Sequence, residues 1–425
     1  MTEPMNADLV VTDARLLDGR VVDVVIAAGR IAAMPPAGGS ARPSGVAVVA
    51  AEGRLVTPTF VDGHLHLDKV HSLPRVGDAA IAAYTAGSMG SAMTAIELAR
   101  EVKRDYDRAW IAPNVERVLA ASVANGTLTM QAFVDVDTTG GLEGLHGVLE
   151  ARRAFEGVLD VRVVAFPQDG LLRDPGADRL VEEALALGAD VVGGIPWIEH
   201  SDRDAKRHVD WACELAARTG RRVAMLVDDA GDPWLRTTEM LAVAMLEHGL
   251  EGRGVACHAR AIGAYERPSQ LRLAGLALRA GLAFVSDPQT GPVHLPVGLF
   301  DGLGVKVALG QDDVEDAYYP FGRHSMLEVA FLAAHALGWL GEPEQRRLID
   351  LVTTRAAEVL GIADHRLDVG GAGDLVVHHD ERLVDVLRAH REPRHVVSRG
   401  RVVATTTVET VLTLPGGGAA RERER

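Results

Sequence analysis

At 425 residues the chain exceeds the usual size of one hydrophobic core, so one large domain and a smaller one are expected. Its composition is ordinary for a soluble globular protein, and a net charge of −15 argues against nucleic acid or an anionic membrane surface as a partner. The chain has only two cysteines, Cys213 and Cys257, so we expect no disulfide framework. The segment MTEPMNADLVV shows no signal-peptide pattern, and no apolar run could span a bilayer. We therefore expect a cytoplasmic protein.

The two ends of the chain predict short β-strands. In residues 8–56, the segments ADLVVTDARLL, GRVVDVVIAAGRIAAM and VAVVAAEGRLVTP carry alternating Val and Ile together with G-R turns. A similar pattern returns in GDLVVHHDERLV and RHVVSRGRVVATTTV. We therefore predict that residues 1–56 and 366–414 pair into one small β-sandwich domain, and that residues 415–425 form a disordered tail.

The middle of the chain, residues 57–365, alternates apolar strand candidates with helix-like segments such as DRLVEEALALG. This alternation is typical of a parallel sheet covered by helices, and eight candidates are the number needed for a closed (β/α)8 TIM-like barrel. The candidates are FVDGH, LTMQAFVDVD, DVRVVAFPQ, ADVVGGIPW, RRVAMLVDD, RGVACHA, LAFVSDP and VKVALGQDD. A doubly wound open sheet is the alternative, although no glycine-rich dinucleotide fingerprint follows the first strand.

Two histidines, His64 and His66, end the first of these strands in VTPTFVDGHLHLDKVH, residues 56–71. Residues i and i+2 of an extended strand point to the same side, so the two imidazoles are expected to share one space. A pair of convergent imidazoles is the usual beginning of a transition-metal site. The alternative is a polar strand end whose histidines face water.

Further polar residues end the later strands of the predicted barrel. They are Gln168, Trp197, Glu199, Asp228, Asp229, His258, Asp312 and Asp313. In a β/α barrel the carboxyl ends of all strands open onto one face, where active sites lie. Any one of these residues alone could be a helix cap or a solvated loop residue. Taken together with the histidine pair, they favour metal-assisted hydrolysis.

The chain resembles the amidohydrolase superfamily, and within it the bacterial cytosine deaminase branch that also contains triazine-ring amidohydrolases. The resemblance covers nearly the whole chain, including the divided β domain. The segments that carry it are PTFVDGHLHLDK, VRVVAFPQDGLL, ALALGADVVGGIPWIE and GQDDVEDAYYPFG. It implies an enzyme that hydrolyses a C–N bond of a small nitrogen heterocycle or cyclic amide through metal-activated water.

The resemblance also implies roles for individual residues. His64, His66 and Asp312 take the positions of ligands to zinc or iron, and Asp312 also takes a catalytic position. His258 takes the position of a catalytic histidine beside the metal. Gln168 takes the position of a glutamine that hydrogen-bonds the amide-like edge of a pyrimidine ring.

Several positions depart from the family pattern. Leu226 stands where the family has a further ligand histidine, so the divalent metal is expected to bind weakly or to be absent. Asp229 stands where a glutamate carries protons, and it is one methylene shorter; Asp313 is the second candidate for this role. Gln311 and Phe133 each replace a polar residue of the family pattern.

The expected substrate is a small, planar nitrogen heterocycle. Phe133, Trp197 and Trp234 offer flat apolar walls, and Gln168 and Asp313 complete the expected substrate-binding set. Two alternatives remain open at the level of sequence. One is a diverged barrel with weak or no metal dependence that catalyses a different reaction on a related heterocycle, and the other is a catalytically silent binding protein. No nucleic acid or membrane partner is expected, and a homo-oligomer is left open.

Overall fold

The computed structural model describes residues 7–39, 45–76, 89–413 and 419–423. We number the strands in this part of the chain in sequence order. They are β1 (Leu9–Arg15), β2 (Val21–Ala27), β3 (Arg30–Ala33), β4 (Ala47–Ala50), β5 (Val56–Pro58), β6 (Phe60–His66), β7 (Thr127–Asp135), β8 (Asp160–Phe166), β9 (Val191–Gly194), β10 (Arg222–Val227), β11 (Gly254–His258), β12 (Ala283–Ser286), β13 (Val307–Leu309), β14 (Leu375–Val377), β15 (His395–Ser398), β16 (Arg401–Thr405), β17 (Glu409–Thr413) and β18 (Ala419–Arg423).

Helices separate most of the strands in the middle of the chain. Their ranges are Leu73–Val76, Met89–Lys103, Arg108–Ala124, Glu143–Ala154, Ala177–Leu187, Asp202–Thr219, Thr237–Glu247, Arg267–Ala280, Val297–Gly302, Met326–Leu337, Glu342–Leu351 and Thr354–Leu360; a further helix, Leu383–Ala389, follows β14. Local sequence signals set several of their ends. The Ser201 side chain caps the helix Asp202–Thr219 by accepting a hydrogen bond from Asp204 N, and Gly220, at φ 69°, ends it.

Strands β6 to β13 form one eight-stranded sheet in chain order, and each pair of neighbouring strands within it is parallel. The eight strand candidates of the sequence therefore all lie in this sheet, and the predicted (β/α)8 barrel is confirmed. Its strands are rich in Val, Ala and Phe and almost wholly buried, as expected when helices cover the outside of a parallel sheet. This arrangement brings the carboxyl ends of the strands to one face.

The barrel closes between β6 and the residues that follow β13. Leu65 and Asp312 form a parallel bridge, in which Asp312 N donates to His64 O and His66 N donates to Asp312 O, both at 2.9 Å. The backbones approach closely here, since a Cβ added at Gly310 would lie 2.9 Å from the Cβ of His64. The closing seam of the barrel therefore coincides with three of the residues predicted to form a metal site.

The chain divides into two compact units. The larger contains Phe60–Ser122 and Thr127–His365 and includes the barrel. The smaller contains the described residues up to Thr59, the segment Val123–Gly126, and the described residues from Arg366 onward. In the smaller unit, a sheet of order β3-β2-β1-β4 and a sheet of order β16-β15-β14-β5 share one buried cluster of apolar side chains. The predicted β-sandwich built from both chain ends is confirmed.

The predicted disordered tail, residues 415–425, falls partly outside the described residues. Within them, in contrast to the expected disorder, Ala419–Arg423 forms β18 and pairs antiparallel with β17. Among the described helices, none is both long enough and apolar enough to cross a membrane.

Candidate active site

Three imidazoles surround one carboxylate oxygen at the carboxyl end of the barrel. The Nε2 atoms of His64, His258 and His66 lie 3.2, 3.7 and 3.9 Å from Asp312 Oδ1. All four side chains are buried. His64 and His66 end β6, His258 ends β11, and Asp312 follows β13, so the closed barrel brings together residues that are far apart in sequence.

The pKa values of His66 and Asp312 favour metal binding. Burial, followed by the charge of Lys69, holds the pKa of His66 well below its usual value, so this ring is neutral, as a metal ligand must be. For Asp312 burial acts against ionisation, but His258 and His64 outweigh it and lower the pKa of the carboxyl below its usual range. The cluster therefore combines a neutral imidazole with an ionised carboxylate.

The spacing and the unsatisfied atoms of the cluster fit a divalent metal ion. Ligand atoms ~2.0–2.1 Å from a tetrahedral zinc ion are separated by roughly 3.3 Å, close to the shortest of the three distances above. Among the described residues, neither ring nitrogen of His64, nor Nδ1 of His66, nor Oδ2 of Asp312 makes a hydrogen bond. Buried polar atoms without partners are costly, and a bound cation would satisfy part of this set. His64, His66 and Asp312 also form one of the groups in the described chain whose ligand atoms could share an ion.

A carboxylate and a guanidinium that sequence reasoning missed lie directly behind His258. His258 Nδ1 lies 2.7 Å from Asp287 Oδ2 and 3.6 Å from Asp229 Oδ1. Arg260 contacts both carboxylates, at 2.7 Å from Asp229 Oδ1 and 3.2 Å from Asp287 Oδ2. Asp287 directly follows the strand segment LAFVS, so its place at a strand end was a signal that could have identified it. Arg260 lies two residues after His258.

These charges act on His258. Burial disfavours a charged imidazole, but the surrounding carboxylates raise the pKa of His258 to about 9. In order of effect they belong to Asp229, Asp287 and Asp312. Burial also raises the pKa of Asp229 above its usual value, against the lowering effect of His258 and Arg260. Asp229 is therefore more basic than an ordinary aspartate and is suited to accept and return a proton.

A cavity opens beside the histidines, with about 390 Å³ of empty space that includes its open mouth. The lining residues are His66, Ile96, Gln168, Ile195, Trp197, Leu226, Asp229, His258, Asp312, Asp313 and Tyr318. Polar groups that could act on a substrate therefore share one space with apolar walls.

Gln168 is held in a fixed orientation at this cavity. Its Oε1 accepts a hydrogen bond from Lys69 Nζ at 3.3 Å, so its amide N–H groups remain for a ligand. Lys69 also donates to both oxygens of Asp135, at 2.9 and 3.1 Å, and all three side chains are buried. Sequence patterns do not predict this buried ion pair, because lysine is seldom buried.

Asp313 is a second buried carboxyl group in the cavity wall. Burial raises the pKa of Asp313 well above its usual value, and the neighbouring Asp312 and Asp316 raise it further. A carboxyl group of this kind holds a proton more readily than an ordinary aspartate does. The position fits either of the roles expected for Asp313, in proton transfer or in substrate binding.

The remaining predicted residues occupy different places. Trp197 lines the cavity, and its indole Nε1 is buried without a hydrogen-bond partner among the described residues. Phe133 lies behind the histidines, with its ring centroid 4.4 Å from that of His64, and is absent from the cavity lining. Trp234 is 82% exposed and does not line the cavity.

Two strand-end carboxylates organise the backbone. Asp228 accepts hydrogen bonds from the N–H groups of Thr237 and Thr238 and so anchors the start of the helix Thr237–Glu247. Glu199 accepts hydrogen bonds from the backbone of residues 171–173 and fixes the loop that follows Gln168. These contacts match the alternative interpretation of such residues as caps and loop anchors.

Asp62 fixes the two segments that carry the metal-ligand candidates. Its Oδ1 accepts from the backbone N–H groups of His64 and Gln311, both at 3.0 Å. Its Oδ2 lies 2.9 Å from His324 Nε2, and the other nitrogen of that ring contacts Ser122 Oγ. Gln311, which replaces a polar residue of the family pattern, therefore contributes its backbone N–H to the seam that closes the barrel.

Comparisons with known proteins agree with this geometry. Pterin deaminase of Rhizobium rhizogenes is 28% identical over 397 residues, which are 90% of this chain and 87% of that protein. The structure of 5-methylcytosine deaminase from Klebsiella pneumoniae, liganded with 5-fluorocytosine, superposes with a TM-score of 0.84 at 25% identity, over 95% of this chain and 99% of that one. N-isopropylammelide isopropylaminohydrolase from Burkholderia multivorans gives a TM-score of 0.81 at 28% identity, over 93% and 98% of the two chains.

The sequence also matches a family model along most of its length. The match spans residues 47–404, which include all eight barrel strands and the β-sandwich strands β4, β5, β14 and β15 in full. The resemblance inferred from the sequence motifs is confirmed. This chain belongs to the amidohydrolase family.

Proposed function

We propose that the protein is a hydrolase that cleaves a C–N bond of a small nitrogen heterocycle and replaces a ring-bound amino or alkylamino group by oxygen. The observation that carries the proposal is the convergence of His64, His66, His258 and Asp312 beside a cavity that also presents Gln168. The similar proteins, which are named for reactions of pterin, 5-methylcytosine and N-isopropylammelide, support this class of substrate.

The metal is assigned to His64, His66 and Asp312. The assignment is supported by their closely spaced ligand atoms, several of which are buried without a hydrogen-bond partner among the described residues. Zinc and iron both suit a site of imidazole and carboxylate ligands. When bound, a divalent ion supplies a nucleophile at neutral pH by making water more acidic. Leu226 lines the same cavity and offers no ligand atom, so we expect weaker metal binding than in a site with a further imidazole.

The substrate ring is held by groups on the cavity wall. Gln168 is oriented by Lys69 so that its amide N–H groups donate to an oxygen or a ring nitrogen of the substrate. The indole Nε1–H of Trp197 is a second donor, and it has no hydrogen-bond partner among the described residues. Ile195 and Leu226 supply apolar surface, which suits the face of a planar ring.

Proton transfer falls to the carboxyl groups of the cavity. Hydrolysis forms a C–O bond and breaks the C–N bond, and a proton from water must reach the departing nitrogen. Asp229 and Asp313 both line the cavity and both have raised pKa values, so each can take up a proton and return it. Asp229 is the first candidate because it occupies the end of β10, at the position of the family's proton-carrying glutamate.

The proposal is tested with purified full-length protein supplied with zinc or iron and a panel of amino- and alkylamino-substituted pyrimidines, triazines and pterins. Release of ammonia or amine, with the oxygenated ring detected by mass spectrometry, is the expected result. The variant with both His64→Ala and His66→Ala is the negative control. Equal release by the variant and the wild type would contradict the proposal.

A further inference from the structure

We propose that His258 is the third imidazole ligand of the metal and replaces the ligand that is lost at Leu226 on the neighbouring strand. The inference rests on the proposed function and deepens it, because it changes which residues hold the ion. The family position of His258 lies beside the metal, and here the same side chain would belong to the metal's ligand shell.

The first support is a geometric equivalence between two histidines. The Nε2 atoms of His258 and His66 lie at nearly equal distances, 3.7 and 3.9 Å, from Asp312 Oδ1. Their ring centroids are also nearly equidistant from that of His64, at 4.8 and 4.9 Å. His258 is therefore as close to Asp312 and to the ring of His64 as a histidine from the H-x-H pair is.

The second support is the backbone at the end of β11. Leu226 pairs with Cys257 in the parallel ladder, so His258 lies one residue beyond the level of the lost ligand. His258 and the next residue, Ala259, have φ values of 65° and 48°, in the left-handed region that non-glycine residues rarely adopt. Such a conformation costs on the order of 1–3 kcal/mol and is found preferentially at functional sites. Asp312, with φ 71°, shares this feature.

The third support is the partner of the second ring nitrogen. A histidine that binds a metal through one nitrogen usually donates its other N–H to a carboxylate or carbonyl, which fixes the ring. His258 Nδ1 has such a partner in Asp287 Oδ2 at 2.7 Å. Asp287 is itself held by Arg260 and Thr290. Among the described residues, Nδ1 of His66 has no hydrogen-bond partner, so His258 has the better supported ring of the two.

The charges around His258 are consistent with a divalent ion. Among the described residues, the carboxyl groups of Asp229, Asp287 and Asp312 all contact the guanidinium of Arg260. One guanidinium does not balance three carboxylates. A divalent cation would neutralise them, and buried charges need such compensation.

The test is a titration of metal-free, full-length protein with cobalt(II), followed by its visible absorption. His258→Asn should weaken cobalt binding at least about 100-fold, more than the ~10–100-fold expected for removal of a partner that only orients a ligand, as in Asp287→Asn. His335→Asn, the same change at an exposed position of the helix Met326–Leu337, should bind cobalt as the wild type does. Affinity within about threefold of the wild type in His258→Asn would overturn the inference.

A second variant and a second measurement keep the test decisive if His258→Asn folds poorly. Adding Leu226→His to His258→Asn returns an imidazole to the neighbouring strand and should recover most of the lost affinity. X-ray absorption of the wild-type cobalt protein counts ligands without any substitution; three imidazoles support the inference and two overturn it. A wild-type protein that takes up no cobalt would instead contradict the metal-dependent function itself.

Discussion

His64 and Asp312 are joined twice, once through the backbone and once through their side chains. The N–H of Asp312 donates to His64 O at 2.9 Å, and His64 Nε2 lies 3.2 Å from Asp312 Oδ1. The backbone hydrogen bond belongs to the seam that closes the barrel. Closure of the barrel therefore places the two ligand candidates side by side.

The first prediction follows from this relationship. Replacing both His64 and His66 by alanine removes two imidazoles but leaves the backbone hydrogen bonds of the seam in place. Metal content, measured by mass spectrometry after supply with zinc, should fall from about one ion per chain to less than about a tenth of that value. The circular dichroism spectrum should be unchanged. A variant that retains its metal would remove the H-x-H pair from the site.

The second prediction concerns proton transfer. Asp229→Ala removes a buried carboxyl group of raised pKa and should lower kcat by ~10²–10⁴-fold, the usual contribution of a general acid or base. Asp229→Asn preserves the shape of the side chain and should lose as much activity, because the amide cannot carry the proton. Steady-state kinetics on any active substrate measures both variants. Activity within a few-fold of wild type would transfer the role to Asp313.

The third prediction concerns the buried ion pair of Lys69 and Asp135. Lys69→Met should lower the free energy of unfolding by about 3 kcal/mol, because Asp135 keeps its buried charge and loses its nearest cation. Lys103, whose Nζ lies 3.5 Å from Asp135 Oδ2, limits the loss. Urea denaturation provides the measurement.

A matched control separates burial from the loss of charge. Lys206 pairs with Asp210 on a helix, and its side chain is 40% exposed. Lys206→Met should change the free energy of unfolding by no more than ~0.5 kcal/mol. Equal changes in the free energy of unfolding for Lys69→Met and Lys206→Met would contradict a larger contribution from the buried ion pair.

Lys69→Met should also raise KM, since Gln168 loses the contact that orients its amide.

The strand ends were predictable from the sequence, and the reason is topological. Once eight apolar segments are assigned to a parallel barrel, the residues that follow them must lie on one face. His64, His66, His258 and Asp312 could therefore be placed together before any distance was known. The two β-rich chain ends were predictable in the same way, from a repeated pattern of alternating Val residues.

Contacts that depend on side-chain direction could not be predicted. Phe133 lies behind His64, because its side of β7 faces the histidines rather than the open cavity. Trp234 is exposed, because it belongs to the loop after β10, whose path no periodicity defines. Arg260 reaches Asp229 from the turn after β11, which begins with two residues of positive φ. Sequence patterns carry no signal for such a turn in non-glycine residues.

The fourth prediction concerns acid stability and involves a residue outside the barrel. Burial, with a smaller effect from His379, lowers the pKa of His378 from 6.5 to about 3 in the folded protein. The unfolded chain therefore binds one more proton than the folded chain between pH ~6.5 and ~3. The stability that a neutral His378 provides is present above pH ~6.5 and is lost as the pH falls.

His378→Gln removes this titration. Between pH 6 and 4, the free energy of unfolding of the wild type should fall with pH more steeply than that of the variant, by about 1.4 kcal/mol per pH unit. His335→Gln, on an exposed helical face, should keep the wild-type slope. Denaturant titrations at several pH values give the slopes, and identical slopes for wild type and His378→Gln would refute the prediction.

The most direct test of the central claim is the release of nitrogen from a heterocyclic substrate. Full-length protein supplied with zinc or iron is incubated with aminated pyrimidines, triazines and pterins, and ammonia or amine is measured together with the ring product. We predict that at least one ring loses its amino or alkylamino group, gains oxygen in equal amount, and is left intact by the His64→Ala and His66→Ala double variant. A metal-loaded protein that releases no nitrogen from any ring of the panel would contradict the account.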